Sequence, residues 1–306
     1  MMRMILGRAA AALVVVVCVA TLGFGALKLA PGGPFDAERR VSAEVMRNIE
    51  RAYHLDWPLW RQYGDYMARL MTGDLGQSMK RTSTVNEIIA ENFPRSLQLG
   101  LLALAFAIVA GVGLGVLAAT RQNRFADHAA MAVALAGVSI PSFVLGPLLI
   151  TVFALRLGWL PAARWDGFAS MILPATTLGL IYMGTIARLT RSGMLETIRQ
   201  DYVRTARAKG LSERVVIWKH ALRLGILPVV TYLGPATATL ITGSIVIETI
   251  FQVPGLGFYF IASVTDRDYP VLTGVMVFYC VLVVTLNLLV DIAYGFIDPR
   301  IREARR

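Results

Sequence analysis

Asp201-Tyr-Val-Arg-Thr-Ala-Arg-Ala-Lys-Gly-Leu-Ser-Glu-Arg-Val-Val-Ile-Trp-Lys-His220 lies in the middle of a basic segment, Arg188 to Arg223, between two long apolar stretches. Nine Lys or Arg residues stand against three acids in this segment. Apolar residues recur at helical spacing on both sides of Gly210, where the chain can turn sharply: Tyr202, Ala206, Leu211, Val215, Trp218 and Leu222. We therefore predict two short helices joined at this glycine, on the aqueous side of a membrane, where they can dock another protein.

The rest of the chain has the composition of a membrane protein, with 56% hydrophobic residues and a mean hydropathy of +0.60. Six stretches are long and apolar enough to cross a hydrocarbon layer of about 30 Å: Arg8–Leu29, Ser96–Thr120, Ala129–Leu155, Met171–Ala187, Ile226–Ile247 and Val271–Ala293. The second and third contain no charged residue, which decides the prediction because one charge at a helix centre costs about 2.5–3.5 kcal/mol. The first is read as a retained helix, since its apolar run of 19 residues exceeds the about 7–15 of a signal peptide.

Charge placement predicts the orientation of these spans. With both termini in the cytoplasm, the cytoplasmic pieces hold 17 basic and seven acidic residues, and the opposite side holds 13 of each. The formal net charge of +10 therefore lies on one side, as the positive-inside rule expects. Orientation and attraction to anionic lipid account for the high pI, so nucleic-acid binding is not needed to explain it.

The sequence divides into four parts: an N-terminal transmembrane helix (1–30), a periplasmic helical segment (31–95), a five-helix core (96–293) and a cytoplasmic tail (294–306). The core contains the loop 188–223. Within the periplasmic segment we predict helices at Ser42–Arg51 and from Leu59 to Leu70, followed by a loop. The segment holds nine basic and nine acidic residues, which indicates a compact cap and not a polybasic tail.

Glycine and proline residues within the spans predict helix packing and bending. Gly111 and Gly115 form a G-x-x-x-G pattern, which lets two helices approach closely. Pro141 and Pro147 are expected to kink the third span, and Pro174 the fourth.

Sequence signals for catalysis are missing. No lysine follows a glycine, so there is no phosphate-binding P-loop. The three histidines are dispersed, and neither a nucleophile elbow nor a zinc motif occurs. The ionisable residues Lys28, Glu248 and Asp291 lie at span ends, with Glu248 expected at the interface opposite the cytoplasm, whereas ion-driven transporters usually place such groups at mid-membrane. A membrane-embedded enzyme and a secondary transporter are therefore poor alternatives to a conduit driven by another protein.

The basic loop resembles the signature of membrane subunits of ATP-binding-cassette importers: Glu-Ala-Ala, three residues, Gly, nine residues, Ile-x-Leu-Pro. Aligned on Gly210, the opening triplet falls on Arg204-Thr205-Ala206, the tail falls on His220 to Arg223, and the proline is displaced to Pro228. Further motifs resemble the B-type permease subunit of bacterial oligopeptide importers: Leu-Ala-Pro-Gly-Gly-Pro (29–34), Tyr-His-Leu-Asp (53–56), Gly-Asp-Leu-Gly (73–76), Ile-Pro-Ser-Phe (140–143), Ile-Thr-Gly-Ser-Ile-Val-Ile-Glu-Thr-Ile (241–250), Pro-Gly-Leu-Gly (254–257) and Ile-Asp-Pro-Arg (297–300).

The resemblance implies an all-α polytopic protein of the bacterial inner membrane with the type I importer fold. It implies a second homologous permease subunit, two cytoplasmic ATPases that hold ATP and Mg, and a periplasmic or lipoprotein peptide-binding protein. This chain is then a transport subunit that binds no cofactor or metal of its own. Importers of dipeptides, nickel chelates or glutathione have similar B-type subunits and stay open as alternatives.

The resemblance also assigns candidate residues. Those expected to couple the chain to an ATPase are Arg204, Thr205, Ala206, Ala208, Lys209, Gly210, Leu211 and Arg214. The small Ala206 and Gly210 would permit close approach of the ATPase, and the basic residues would pair with its acids. Polar residues that could line the pathway or a gate are Ser139, Ser142, Thr242, Ser244, Glu248 and Asn287. Except for Glu248, each of these could equally hydrogen-bond within or between helices.

Overall fold

A computed structural model of the chain describes residues 2–29, 51, 53–242 and 245–297. The predicted helix Ser42–Arg51, apart from its last residue, and the candidate Ser244 lie outside these ranges. Helices numbered along the described residues are α1 Met2–Leu29, α2 Leu59–Thr72, α3 Val85–Thr120, α4 Phe125–Ser139, α5 Ser142–Arg156, α6 Phe168–Ile198, α7 Asp201–Ala208, α8 Glu213–Gly225, α9 Leu227–Ile241, α10 Ile245–Ile250, α11 Leu256–Asp266 and α12 Tyr269–Ile297. Helix α2 and the loop after it agree with the sequence prediction.

The apolar helices confirm a polytopic all-α protein. Across the described residues, four helices are long and apolar enough to span a membrane, and the number rises to six if each of two bent pairs forms one span. Those pairs are α4 with α5 and α8 with α9. The described part of the chain contains no β-strand, only an isolated bridge between Gln77 and Thr84.

Four predicted spans differ from the helices that form. The second was expected to begin at Ser96, but α3 begins at Val85, within the predicted periplasmic segment. The third is not one kinked helix, because α4 ends at Ser139 and α5 leaves it at 111°, with Pro141 at the junction. The fifth was expected to run from Ile226 to Ile247, but α9 ends at Ile241.

The fourth predicted span, Met171–Ala187, is too short. Helix α6 has 31 residues and runs on through Arg188 to Ile198, so about a third of the predicted loop belongs to this helix. Pro174 lies within α6 without interrupting it. Hydropathy marks only the apolar part of a helix, so it missed the polar turns at the end of this one.

The structure divides into two compact units, and the first comprises residues 1–94 and 258–285. In this unit α1 contacts α2 through a hydrogen bond of 2.8 Å between the Thr21 and Tyr63 hydroxyls. The rings of Phe24 and Tyr66 stack beside it, 5.7 Å apart. The unit therefore joins the predicted N-terminal span to the helix of the predicted periplasmic segment.

The second unit comprises residues 95–257 and 286–306, and α6 meets three of its other helices at glycines. A Cβ built on Gly179, Gly184 or Gly193 would lie 2.2–2.7 Å from a backbone carbonyl oxygen of α3, α4 or α8, respectively. A side chain at any of these positions would force a neighbouring backbone away. Helix α6 is thus packed directly against the main chains of its neighbours.

The predicted G-x-x-x-G contact also lies in the second unit, between α3 and α6. A Cβ on Gly111 would come within 2.8 Å of Ile186, and one on Gly115 within 2.5 Å of Thr190. Gly113, which falls between them in sequence, would meet nothing within 4 Å. The prediction that this pattern permits close helix packing is confirmed.

Candidate functional site

The basic loop forms a tight elbow between α7 and α8. The left-handed backbone at Gly210 (φ +77°) turns the chain, and its N–H donates to the carbonyl of Arg207 at 2.9 Å. A Cβ at this glycine would meet nothing within 4 Å. Glycine is therefore favoured here by its backbone conformation and not by lack of space. The predicted pair of short helices joined at Gly210 is confirmed.

An ion pair closes the elbow across this turn. Arg207 Nε donates to Glu213 Oε2 at 3.1 Å, and Arg207 Nη2 donates to Oε1 at 2.8 Å. Two parallel hydrogen bonds of this kind fix the relative orientation of the two groups. The sequence analysis missed the pair, although opposite charges at equal distances from a turning glycine could have indicated it.

One face of the elbow is buried against the rest of the second unit. Val203 on α7 and Val216 and Ala221 on α8 are fully buried. They belong to a cluster with Ala119 of α3 and Met194 of α6. The elbow is thus part of the folded core and not a separate flexible loop.

This packing corrects the role expected of Ala206. Its side chain is 5% exposed and belongs to the same cluster, so it cannot offer a partner close approach. The small residue is explained by packing within the chain. The other seven candidate coupling residues are exposed: Arg204, Thr205, Ala208, Lys209, Gly210, Leu211 and Arg214.

The exposed face combines positive charge with apolar area. Leu211, Val215 and Trp218 are 40%, 39% and 53% exposed, respectively. Arg204, Lys209 and Arg214 are exposed basic residues of the same elbow. We call these six residues the elbow surface. Single exposed apolar residues are common on protein surfaces, but three of them within residues 211–218 suit contact with another protein.

A cavity of about 330 Å³ lies behind the elbow. Its apolar wall comes from the ends of α3 and α6 and from Ile217 and Trp218 of α8, and Arg207 and Glu213 are among its polar lining residues. The Arg207–Glu213 ion pair therefore borders this cavity.

A second ion pair, also missed from the sequence, joins α4 to α6. Asp127 is buried near the start of α4 and accepts hydrogen bonds from Arg191 of α6. From the sequence, Asp127 counted only among the seven cytoplasmic acids, and Arg191 only among the nine basic residues of the loop. Because α6 was predicted to end at Ala187, no helix was expected to present this arginine to α4.

The candidate pathway residues have different environments. Ser139 and Asn287 are exposed, and Ser142 is half-buried. The Thr242 hydroxyl donates to the Thr239 carbonyl at 2.8 Å, so it is engaged with its own helix.

Glu248, expected at the membrane interface opposite the cytoplasm, is covered by the protein itself. It is completely buried, and its carboxylate accepts a hydrogen bond from the Gly257 N–H at 2.7 Å. Its position near the end of a predicted apolar span gave no sign of this burial, which comes from the loop that follows α10.

Comparison with known proteins identifies the family. The model of the binding-protein-dependent transport system inner membrane component matches residues 111–303. The model of the N-terminal part of such membrane components matches residues 1–100. The chain belongs to this family of importer permeases. The resemblance seen in the elbow and along the sequence is therefore confirmed, and this importer permease is a multi-pass inner-membrane protein.

Curated relatives match almost the whole permease. The dipeptide transport system permease protein DppB of Bacillus subtilis is 48% identical over 94% of both chains. The oligopeptide transport system permease protein OppB is 45% identical in Haemophilus influenzae and 44% in Escherichia coli K12. Both OppB matches cover 99% of this chain and 100% of the relative.

Solved structures confirm the type I importer fold. The permease superposes on a chain of an inward-facing methionine ABC transporter with a TM-score of 0.56, at 19% identity, covering 69% of this chain and 96% of the other. An amino acid ABC transporter gives a TM-score of 0.52 at 16% identity, with 68% and 92% covered. At these identities the likeness establishes the fold alone.

Proposed function

We propose that this permease is a membrane-spanning subunit of an ATP-driven importer of oligopeptides, coupled to cytoplasmic ATPases through residues 204–214. The observation that carries the proposal is the elbow surface: three cations and three apolar side chains on two helices and the turn between them, with the opposite face of the helices buried in the core. Such a surface can dock a protein and pass displacement into the helices that hold it. The names of the relatives, oligopeptide and dipeptide permease proteins, support the substrate class.

In this proposal two ATPases bind ATP and Mg, and the permease binds no cofactor or metal and catalyses no reaction. Arg204, Lys209 and Arg214 pair with ATPase acids, while Leu211 and Trp218 pack against its apolar groups. The Arg207–Glu213 pair keeps the turn stiff, so motion of the ATPase moves α7 and α8 together. Because Gly193 of α6 touches the backbone of Gly225 of α8, that motion reaches a long helix directly.

The pathway forms between this permease and a second homologous subunit, and a periplasmic or lipoprotein binding protein delivers the peptide. Both termini and the elbow face the cytoplasm, and residues 31–95 form the extracytoplasmic insertion. Ser139, Ser142 and Asn287 are the pathway candidates that we retain, with Ser244 outside the described residues. The 48% identity to a dipeptide permease favours dipeptides as the second candidate substrate; nickel chelates and glutathione stay as alternatives.

The test is peptide uptake by the complete importer, with both permeases, both ATPases and the binding protein in vesicles. Gly210→Asp should leave the permease inserted and assembled but should separate ATP hydrolysis from uptake. Gly158→Asp is the matched control, since Gly158 also has a positive φ (63°) and free space around it, but lies in another loop. Normal uptake by Gly210→Asp would remove the elbow from the mechanism. Uphill transport by the permease alone would overturn the whole proposal.

A further inference from the structure

Glu248 is a buried carboxylate with no part in coupling, and the loop that follows α10 folds back over it. The side chain is fully buried in the second unit. Its backbone carbonyl accepts the Val253 N–H at 2.9 Å, and its Oε2 accepts the Gly257 N–H at 2.7 Å. Burying a carboxylate is costly unless hydrogen-bond donors surround it. The loop supplies one such donor to the carboxylate, the Gly257 N–H.

The two glycines of Pro254-Gly-Leu-Gly257 make room for this carboxylate. A Cβ on Gly255 would lie 2.4 Å from Glu248 Oε2, and one on Gly257 would lie 2.9 Å from the same atom. The close atoms around Gly255 are side-chain atoms of Glu248 and Ser96. Gly255 therefore makes room for the glutamate, and Gly257 makes room both for the glutamate and for the Ile245 backbone, at 2.8 Å.

The other side of the loop is fastened to α3. The buried Ser96 hydroxyl accepts the Leu256 N–H at 2.9 Å, and the Arg95 guanidinium donates to the Pro254 carbonyl at 3.4 Å. Val253 and Leu256 are fully buried. Residues 253–257 are thus held from two directions, by Glu248 and by α3. We call this arrangement the loop clasp.

We propose that Glu248 is a positioning residue that sets the shape of residues 253–257 at the extracytoplasmic end of the pathway, and that it does not touch the transported peptide. The inference rests on the proposed function for the location of the pathway. It deepens that function by separating Glu248 from the exposed candidates Ser139 and Asn287. A group that binds peptide must be reachable by it, whereas Glu248 is covered by the chain itself. Its chemistry is that of an acceptor for main-chain N–H groups.

The proposal predicts that loop structure and peptide uptake depend on a hydrogen-bond acceptor at position 248 and not on its negative charge. Glu248→Gln keeps an oxygen within reach of the Gly257 N–H, whereas Glu248→Ala removes it. Hydrogen–deuterium exchange of the peptide covering 251–257 in the purified importer reads the clasp directly. We expect Glu248→Ala to speed this exchange by about tenfold or more, because a lost hydrogen bond opens the loop locally. Glu248→Gln should stay within about twofold of the wild type in exchange and in peptide uptake. Glu91→Ala, which removes an exposed carboxylate of α3, is the control and should change neither.

Unchanged exchange in Glu248→Ala would overturn the proposal. So would loss of uptake in Glu248→Gln with exchange still slow, because the charge itself would then act on transport. If Glu248→Ala does not assemble, Ser96→Ala removes the acceptor on the α3 side, and it should speed exchange of the same peptide and lower uptake. Unchanged exchange in Ser96→Ala would contradict the clasp. Hydrogen–deuterium exchange can be measured without transport. If the wild-type importer takes up no peptide, the proposed function is wrong, but the loop clasp can still be tested by exchange.

Discussion

Arg191 binds Asp127 through two hydrogen bonds, from Nε to Oδ1 at 2.7 Å and from Nη2 to Oδ2 at 2.8 Å. Asp127 is 1% exposed and also accepts the Asn123 N–H at 2.9 Å. Burying a charged carboxylate costs free energy unless it stays paired with its hydrogen-bond donors. The pair therefore fixes the start of α4 to the last turns of α6.

Arg191→Ala should lower the free energy of unfolding by about 3–5 kcal/mol, since it leaves a buried charge without its partner. Arg191→Lys should lie between this variant and the wild type, because lysine keeps the charge but loses the planar fork. Chemical unfolding in detergent measures both. Arg69→Ala is the control: it breaks an exposed pair with Asp65 and should cost less than about 1 kcal/mol. Equal losses in Arg191→Ala and Arg69→Ala would mean that the Asp127 pair is not important for stability.

Exchanging the charges of Arg207 and Glu213 separates a bracing role from direct contact with the ATPase. Either single reversal should weaken ATPase binding, because the elbow loses its brace. The double reversal restores the ion pair and should recover most of the binding. Global stability should change by less than about 1 kcal/mol throughout, since the pair is exposed. Affinity for the purified ATPase is the measurement, and failure of the double variant to recover it would show that Arg207 itself contacts the ATPase.

The effect of substitutions at Gly210 on coupling should follow the backbone preference of the new residue and not the size of its side chain. The left-handed conformation costs most residues about 1–2 kcal/mol, and asparagine tolerates it better than alanine or valine. We therefore expect coupled ATP hydrolysis to fall in the order Gly, Asn, Ala, Val. The same series at Gly158 carries similar backbone strain (φ +63°) outside the elbow and should leave coupling intact. An order that followed volume would point to a steric contact with the ATPase.

Gly115 and Gly113 provide a matched pair for helix packing. Gly115→Ala should destabilise the permease by about 1–3 kcal/mol, because its Cβ would collide with the Ala187 carbonyl at 2.6 Å. Gly113→Ala should be neutral or stabilising by up to about 1 kcal/mol, since alanine favours a helix and the site is open. Thermal unfolding of the two purified variants distinguishes them. A similar loss in both would show that packing against α6 does not decide the effect.

Most of the fold was predictable from the sequence because the length and spacing of apolar stretches indicate which parts of a helix contact lipid or the protein core. The elbow was predictable for a local reason, since a single glycine between two helical patterns determines it. What failed depends on neighbours far away in sequence. The extent of α6 past Ala187 and the burial of Ala206 both require knowledge of which helix lies alongside. The 111° break before α5 exceeds what a proline alone indicates.

The candidate site was predictable in part for the same reason. Seven of the eight coupling residues are exposed, as a docking surface requires. The Arg207–Glu213 pair was missed because its only signal is the placement of opposite charges around Gly210, which helical periodicity does not record. The burial of Glu248 was missed because a loop that follows it in sequence covers it.

The contacts of α6 with the main chains around it have a consequence for how this permease can change during evolution. At Gly179, Gly184 and Gly193 the obstacle to a larger residue is the backbone of another helix, which no substitution can shrink. A second mutation cannot easily compensate for a larger side chain at these three sites. We therefore expect related permeases to vary mainly at their surfaces and to keep the three glycines of α6. A homologue with a larger residue at one of these positions is expected to hold the neighbouring helix farther from α6.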